Sequence, residues 1–267
     1  MSKKNSDELS KKYQKKSDKE HVLDNPDTYI GSIEKTSSNM YIYNNSKIVE
    51  KHITYIPGLY KLFDEGIVNC RDHYIRMKQK SDGEKVNQIH IQIENNKITM
   101  YNNGNGIDIE KHPEYNIWIP EMIFGHLRTG TNYDKSAKKI VGGKNGFGFK
   151  LVLIWSTWGK IETVDHKTGQ KYIQEFKDNL NIIEKPKISK CKSKPYTIVS
   201  FKPDYKRLKI DNISDDFKAL MLRRIYDIAA ITDKSIKVKY NSELLEVKNF
   251  ANYIDLYIGP KSETKRV

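Results

Sequence analysis

A glycine-rich segment, residues 140–150, carries the residue types best suited to binding an anion. It reads Ile-Val-Gly-Gly-Lys-Asn-Gly-Phe-Gly-Phe-Lys and holds four of the fifteen glycines of the chain. Glycines allow backbone dihedrals that a Cβ forbids, and they let N–H groups approach a ligand closely. The apolar run 151–155 predicts a helix whose first N–H groups and positive dipole end point back at the glycines. The segment therefore indicates a phosphate site, with Lys144 and Lys150 adding positive charge.

The order of these glycines excludes two common phosphate loops. The segment lacks the Gly-x4-Gly-Lys-Ser/Thr pattern, and Gly143-x-x-Gly146-x-Gly148 reverses the dinucleotide-binding fingerprint. A flexible surface turn would explain the glycines as well, so other parts of the chain must distinguish the two explanations.

A helix is predicted from Pro57 to about Lys80, with two distinct faces. The apolar face belongs to the core and consists of Leu59, Leu62, Phe63, Ile67, Cys70 and Tyr74. The polar stripe beside it consists of Glu65, Asn69, Asp72, His73 and Arg76. Because Glu65 and Asn69 are one helical turn apart, their side chains can project together into a cleft. An ordinary solvated helix flank is the alternative.

A loop rich in asparagine and glycine follows a predicted strand hairpin. Residues 89–94 and 97–101 alternate apolar and polar side chains, as strands of a half-buried sheet do. The loop Asn102-Asn-Gly-Asn-Gly-Ile107 again brings backbone close to a ligand, and the Asn103 side chain offers a donor and an acceptor. A tight turn alone would also explain this loop.

The remaining patterns predict one α/β domain with a mixed sheet backed by helices on one side. Further strands are expected at 40–43, 52–56, 160–165, 171–176, 181–184, 196–201, 236–240 and 243–247, and further helices at 119–124, 146–156, 215–231 and 250–258. The polar stretch 125–142 predicts a lid, because long irregular segments inside a compact domain are usually functional. Residues 1–20 are mostly charged and predict a mobile arm.

Composition narrows the partners and the compartment. The formal charge of +13 favours polyanions, although the Lys, Asn and Ile bias of an AT-rich genome would produce the same excess. Cys70 and Cys191 lack CxxC spacing and the histidines lack metal-ligand spacing, so a reducing, intracellular setting is expected. No apolar run approaches transmembrane length and no signal peptide is recognisable, so no membrane partner is expected.

Seven segments occur in an informative order: Tyr13-Gln-Lys-Lys, Glu20-His-Val-Leu, Pro26-Asp-Thr-Tyr-Ile-Gly-Ser32, Pro57-Gly-Leu-Tyr-Lys-Leu-Phe-Asp-Glu65, Pro120-Glu-Met-Ile-Phe-Gly125, Gly142-Gly-Lys-Asn-Gly-Phe-Gly148 and Gly169-Gln-Lys-Tyr172. They resemble the N-terminal ATPase domain of eukaryotic-type (type IIA) DNA topoisomerase II, within the GHKL ATPases. The resemblance covers nearly the whole chain. It implies the Bergerat fold, a two-layer sandwich of a mixed, mostly antiparallel sheet backed by helices, which binds ATP with Mg²⁺.

The resemblance implies roles for individual residues. Glu65 matches the general base that deprotonates the attacking water, and Asn69 matches the Mg²⁺ ligand. Asn103 takes the place of the residue that accepts a hydrogen bond from the adenine amine. The contacts to phosphate or ribose, including the glycine lid with Lys150 as a charge partner, match Thr131, Asn132, Gly143, Lys144, Asn145, Gly146, Phe147, Gly148, Phe149 and Lys150.

Three positions depart from the family pattern. Gly130 stands where a serine is usual, so a hydroxyl contact is lost unless Thr129 substitutes for it. His73 stands where the family has a second nucleotide-contacting asparagine, and it could still donate one hydrogen bond. Phe149 replaces a small residue of the lid, and its ring is expected to slow lid closure.

The resemblance also implies a larger assembly. Residues 1–19 would form an arm whose Tyr13 reaches the partner's nucleotide in a homodimer, 20–260 the ATPase domain, and 261–267 the start of a linker to a transducer domain. In the family ATP closes two such domains around a double-stranded DNA, in the nucleus or at a viral or cytoplasmic replication site. A transducer lysine that contacts the γ-phosphate is absent here, so weak hydrolysis is expected. The alternatives are another GHKL ATPase, of the chaperone or mismatch-repair type, and a basic DNA-binding module with a degenerate nucleotide pocket.

Overall fold

The central element of the fold is a mixed sheet. The computed structural model describes residues 15–129, 147–247 and 249–265. The strands of this sheet are β3 (Gln88–Glu94), β4 (Lys97–Asn103), β5 (Ser156–Val164), β6 (Gln170–Lys177), β7 (Ile182–Ile183), β8 (Lys187–Lys190), β9 (Tyr196–Pro203), β10 (Lys237–Tyr240) and β11 (Glu243–Leu244). Their order is β11-β10-β3-β4-β9-β5-β6-β7, with β8 also pairing with β6. Only β10 and β3 pair in parallel among the described strands, so the sheet is mostly antiparallel.

Helices cover one face of this sheet. They are α1 (Asp18–Asp24), α2 (Pro26–Tyr29), α3 (Pro57–Gln79), α4 (Ile119–Gly125), α5 (Gly148–Ile154), α6 (Asp215–Ala230) and α7 (Phe250–Ile258). A separate hairpin of β1 (Thr36–Asn44) and β2 (Lys47–Tyr55) packs against α6. Proline at the first position of α3 is favourable, because its missing N–H would have no helical partner there.

The core lies between the sheet and the helices. Every residue of the predicted apolar face of α3 is buried. On the sheet, burial alternates along β3 and β4: Ile89, Ile91 and Ile93 are buried on one strand, and Ile98, Met100 and Asn102 on the next. Gly66 lets α3 approach this face, since a Cβ there would collide with the Met100 side chain of β4, whose Cε would lie 2.9 Å away. The sheet therefore has a helix-facing side and an open side.

The predicted fold class is confirmed, together with α3, both early hairpins, α4, α6 and α7. Some elements were not predicted. Residues 18–20, expected in a mobile arm, belong to α1, which Ser17 and Glu20 begin with a reciprocal capping box. The short strand β8 was also missed, and α5 is shorter than the expected helix at 146–156. No helix in the described ranges is long and apolar enough to cross a membrane.

Candidate nucleotide site

The polar stripe of α3 meets the first residue of α5. A Cβ built on Gly148 would lie 3.2 Å from Oε2 of Glu65 and 3.9 Å from Nδ2 of Asn69. A Cβ at this position would therefore press on the Glu65 carboxylate and lie in ordinary van der Waals contact with the Asn69 amide. The Asn69 side chain is exposed, and Glu65 keeps part of its surface accessible. The structure thus brings together a carboxylate, an amide and the end of the glycine-rich segment, which lie far apart in sequence.

Glu65 has a charge partner one helical turn away. The ammonium of Lys61 forms an ion pair with Oε1 of Glu65. The other carboxylate oxygen, Oε2, is the one nearest Gly148. An ion pair on one oxygen orients the carboxylate and leaves the second oxygen directed toward the glycine-rich segment. Lys61 was not among the predicted site residues, although its spacing to Glu65 is typical of a helical ion pair.

His73 lies one turn further along α3, against the loop after β4. A Cβ on Gly104 would lie 2.7 Å from Nε2 of His73, and Gly104 has a φ of +114°, so only glycine fits here without strain. Burial, with the nearby charges of Arg76 and Lys80, lowers the pKa of His73 to about 4. The ring is therefore neutral at pH 7. Its buried Nε2 has no hydrogen-bond partner among the described residues.

The structure corrects the prediction for Asn103. Its side chain lies on the open side of the sheet, where Oδ1 accepts hydrogen bonds from the backbone N–H groups of Asn87 (2.9 Å) and Gln88 (3.0 Å). Its Nδ2 donates to Oδ1 of Asn87 at 2.7 Å. These bonds hold the start of β3, and they point the side chain away from Glu65 and Asn69. Asn103 is thus placed as a structural residue rather than as a contact to a base.

The neighbouring Asn102 lies on the helix-facing side instead. It is only 7% exposed and continues the buried series of Ile98 and Met100 on β4. Its Nδ2 donates to the carbonyl oxygen of Asn103 at 3.0 Å, so its own Oδ1 is the group suited to accept a further bond. The alternation of β4 carries the signal that identifies Asn102, because residues two apart on a strand share a face.

Lys150 and Thr129 join the two ends of the segment between α4 and α5. Lys150 is only 4% exposed, and its ammonium donates to the backbone carbonyl of Thr129. Burial lowers the pKa of Lys150 to about 8. The Thr129 hydroxyl donates to the carbonyl oxygens of Met122 (2.5 Å) and His126 (2.8 Å) at the end of α4. Its proton is therefore engaged by the helix end, which argues against the expected replacement of a lost serine contact.

The Phe149 side chain belongs to the core and not to a lid surface. It is buried, and its ring packs edge-on against Phe124 and Phe201, with centroids 5.6 and 5.8 Å away. The expectation that this ring slows lid closure concerns a segment that lies mostly outside the described residues, but the ring itself is part of the core. Phe147 is partly buried and lies against Tyr29 of α2, with ring centroids 6.1 Å apart. These contacts anchor the C-terminal end of the glycine-rich segment to the helical layer.

Several predicted site residues lie outside the described ranges. They are Tyr13, Gly130, Thr131, Asn132, Gly143, Lys144, Asn145 and Gly146. Of the predicted residues that the structure describes, Glu65, Asn69 and Gly148 lie together, His73 lies against Gly104, and Asn103 lies on the other side of the sheet. Asn69 is the one predicted metal ligand, and its exposed amide oxygen is the kind of donor that Mg²⁺ binds.

Comparison with known proteins identifies the family to which the chain is similar. The family described as "Histidine kinase-, DNA gyrase B-, and HSP90-like ATPase" matches residues 54–206. The chain is 45% identical over 258 residues to DNA topoisomerase 2 of Arabidopsis thaliana, covering 96% of this chain and 17% of that protein. It is also 45% identical over 272 residues to DNA topoisomerase 2 of Acanthamoeba polyphaga mimivirus, covering 100% of this chain and 21% of that protein. The chain thus spans about a fifth of the length of these curated relatives.

Solved structures show the same likeness in three dimensions. The crystal structure of the ATPase region of Saccharomyces cerevisiae topoisomerase II superposes with a TM-score of 0.88 at 44% identity, covering 93% of this chain and 65% of that one. The ATPase and transducer domains of DNA topoisomerase II from Balamuthia mandrillaris superpose with a TM-score of 0.86 at 37% identity, covering 92% of this chain and 63% of that one.

Proposed function

Because the chain belongs to the family of histidine kinase-, DNA gyrase B- and HSP90-like ATPases, we propose that it is the ATP-binding and ATP-hydrolysing gate domain of a type II DNA topoisomerase. The observation that carries this proposal is the meeting of Glu65 and Asn69 with Gly148. A general base, a metal ligand and a phosphate-binding backbone segment must lie together for ATP hydrolysis. The likeness to proteins named DNA topoisomerase 2 supports the choice of this enzyme within the family.

In the proposed reaction Glu65 is the general base. Water is a poor nucleophile, and its proton must leave as the new bond to phosphorus forms. With Oε1 paired to Lys61, Oε2 of Glu65 is directed to the side of Gly148 and can accept that proton. Lys61 keeps the carboxylate oriented while Oε2 accepts the proton.

Asn69 and Lys150 handle the charge of the triphosphate in this proposal. Asn69 would hold Mg²⁺ through its amide oxygen, and the ion supplies neutralisation of the phosphate oxygens. Lys150 is buried in the first turn of α5, where a nearby anion would favour its charged form. It also joins that segment to Thr129, so phosphate binding and the position of the segment are linked.

The nucleoside end of the pocket is assigned to Asn102 and His73. Asn102 offers a carbonyl oxygen on the helix-facing side, which can accept a hydrogen bond from the adenine amine. His73 lies at the neighbouring loop with a neutral ring and a buried Nε2, and it can exchange one hydrogen bond with the ligand or a bound water. Asn103 supports this end of the pocket indirectly, because it ties the loop to β3.

The wider assembly is part of the same proposal. ATP binding would join two copies of residues 20–260 into a closed gate around double-stranded DNA, with the arm at 1–19 and its Tyr13 crossing to the partner's nucleotide. Residues 261–267 would lead toward a transducer domain, whose lysine would complete the γ-phosphate contacts. The chain alone is therefore expected to hydrolyse ATP slowly, and a longer chain that includes that domain to hydrolyse it faster. Such an enzyme acts inside the cell, where DNA is replicated.

Two measurements test this function in sequence. Titration with a non-hydrolysable ATP analogue and Mg²⁺ should show saturable binding, and a chain that binds neither this analogue nor ADP would refute the assignment. Light scattering should then show a dimer with the analogue and a monomer with ADP. A monomer in both saturated states would keep the nucleotide site but refute unaided closure of the gate.

A further inference from the structure

The open side of the sheet carries a row of side chains that crosses four neighbouring strands. Lys202 of β9 is the register partner of Trp158 of β5, and Trp158 is in turn the partner of Lys177 of β6. Lys97 of β4 comes directly before Ile98, whose partner is Phe201, so the same register sets Lys97 opposite Lys202. Paired residues of antiparallel strands point to the same side of a sheet. We call Lys97, Lys202, Trp158 and Lys177 the basic row.

Two lysines of the basic row face each other across adjacent strands. Like charges directly opposite on adjacent strands destabilise a sheet. Lys177 is neutralised by Glu184 at 2.9 Å and Glu175 at 3.6 Å. Lys97 and Lys202, in contrast, form no ion pair with any carboxylate of the described residues. Glu94, the register partner of Lys97 on β3, lies on the other side of Lys97 and offsets part of its charge, whereas Lys202 lies between Lys97 and Trp158 and has no acidic register partner. An external anion placed between these two ammonium groups would relieve their repulsion.

The dimensions and the surroundings of the basic row fit an extended anion. Adjacent strands lie about 4.8 Å apart, so the row extends about 14 Å from Lys97 to Lys177. A duplex presents one phosphate about every 3.4 Å of its axis on each strand, so neighbouring phosphates can face Lys97 and Lys202 on their adjacent strands. Trp158 lies between the lysines, and its Nε1 donates to Oε2 of Glu175 at 3.2 Å, which fixes its half-buried ring. A fixed apolar ring beside cations suits a sugar flanked by phosphates.

We propose that the basic row binds the sugar-phosphate backbone of double-stranded DNA, with Lys97 and Lys202 contacting phosphates. The choice of DNA rests on the proposed function, whereas the surface itself follows from the register and charge of the open side. The row lies on the side of the sheet opposite Glu65 and Asn69. DNA binding there therefore requires no nucleotide, and it serves to hold a duplex against the outside of the domain. An acidic protein segment is the competing occupant.

The test uses the whole 267-residue chain and a short fluorescent DNA duplex, with no nucleotide present. The variant Lys97→Gln/Lys202→Gln removes the two lysine charges of the row that form no ion pair among the described residues. Its control, Lys47→Gln/Lys85→Gln, removes the same charge from exposed positions off this sheet face. Fluorescence anisotropy at several salt concentrations should show at least about tenfold weaker binding at ~0.1 M salt for the first variant, with a salt slope lower by about two. The control should bind as the wild type does.

Equal affinity and equal slope for the two double variants would overturn the proposal. A second readout is the quenching of tryptophan emission by the duplex, which should disappear in Trp158→Phe; quenching that persists would also count against the site. Polyglutamate of matched charge should compete far less well than DNA, and equal competition would identify an acidic protein as the partner. ATP binding, measured separately, should be unchanged in both lysine variants. If the wild-type chain does not bind ATP, the proposed function is refuted, whereas the DNA measurements still test the basic row.

Discussion

The two sides of the central sheet place ionisable groups in opposite surroundings. On the helix-facing side, burial disfavours the charged form of Lys150 and lowers its pKa to about 8. On the open side, burial of Glu162 is outweighed by hydrogen bonds from Lys171, Tyr196 and Lys160, which hold its pKa at about 2. One side thus carries a charge that the fold itself disfavours, and the other a charge that the fold stabilises. The first arrangement suits a group that responds to an anionic ligand, and the second suits a structural network.

Replacing Glu65, in the helical layer, and Glu162, on the open side, by glutamine should give the largest difference in ATP turnover between the two sides. Glu65→Gln removes the proposed base and should lower ATP turnover by about 10²–10⁴-fold, with analogue binding retained. Glu162→Gln should leave turnover unchanged, because its carboxylate faces the open side. Steady-state hydrolysis by both variants checks this comparison. Wild-type turnover in Glu65→Gln would move the base to another residue.

The adjacent pair Asn102 and Asn103 gives a sharper comparison within one strand. Asn102→Ala should weaken binding of the ATP analogue by about 1–3 kcal/mol, roughly 5- to 150-fold, since a buried contact to the base is lost. Asn103→Ala should keep nucleotide affinity within about twofold but destabilise the domain by about 0.5–1.5 kcal/mol, because two solvent-accessible backbone N–H groups lose their acceptor. Calorimetric titration and thermal unfolding measure the two effects. The reverse pattern would restore Asn103 as the base contact.

The pH dependence of binding should report Lys150. Below pH 8 the lysine is charged before ATP binds, whereas above it a proton must be taken up with the ligand, so affinity falls by up to about tenfold per pH unit. The contribution of Lys150 to stability changes with pH in the opposite direction to ATP affinity. The folded pKa is lowered, so between pH 8 and the ordinary lysine pKa of 10.5 the unfolded chain binds more protons, and this contribution to the free energy of unfolding rises with pH.

Lys150→Met is the matched variant for both measurements. It should bind ATP more weakly and lose the decline of affinity above about pH 8. It should also lose the pH-dependent gain in stability, measured as the difference from the wild type in denaturant unfolding. An identical decline of affinity in this variant would assign the titration to another group.

The smallest expected effect concerns acid stability on the open side. The folded pKa of Glu162 is below its ordinary value, so its stabilisation is fully present above about pH 5 and is lost as the pH falls toward 2. Glu162→Gln should therefore lower Tm by about 2–4 °C at neutral pH, and this difference should shrink on acidification. If the difference in Tm stays constant between about pH 7 and about pH 3, packing and not charge is responsible for it.

The elements with clear periodicity were predictable from the sequence. The apolar face of α3 follows from its helical repeat, and the asparagines at the turns of the first two hairpins adopt the positive φ values that tight hairpins need. The short elements α1 and β8 were missed because each depends on a local cap or on an edge pairing rather than on a long repeat. Periodicity needs several residues to show, and these elements have few.

The errors at the site have a different physical origin. The role expected for Asn103 came from the family resemblance, whereas the structure turns the Asn103 side chain to the open side, because a shift of one residue on a strand reverses the side. Phe149 lies in a segment whose glycines indicate an exposed loop, yet helix α5 begins there and turns the ring into the core. Both errors concern the direction of a side chain and not the place of its backbone.

The sequence by itself determined the class of fold, the helix that carries Glu65 and Asn69, and the family resemblance, because each depends on spacing along a continuous stretch of chain. Only the tertiary structure decided that Gly148 lies against those two side chains, that Asn102 rather than Asn103 faces the helices, and that Lys150 is buried. These features require segments distant in sequence to pack together. The same holds for the basic row, whose members come from four strands and share a face only through the register of the sheet.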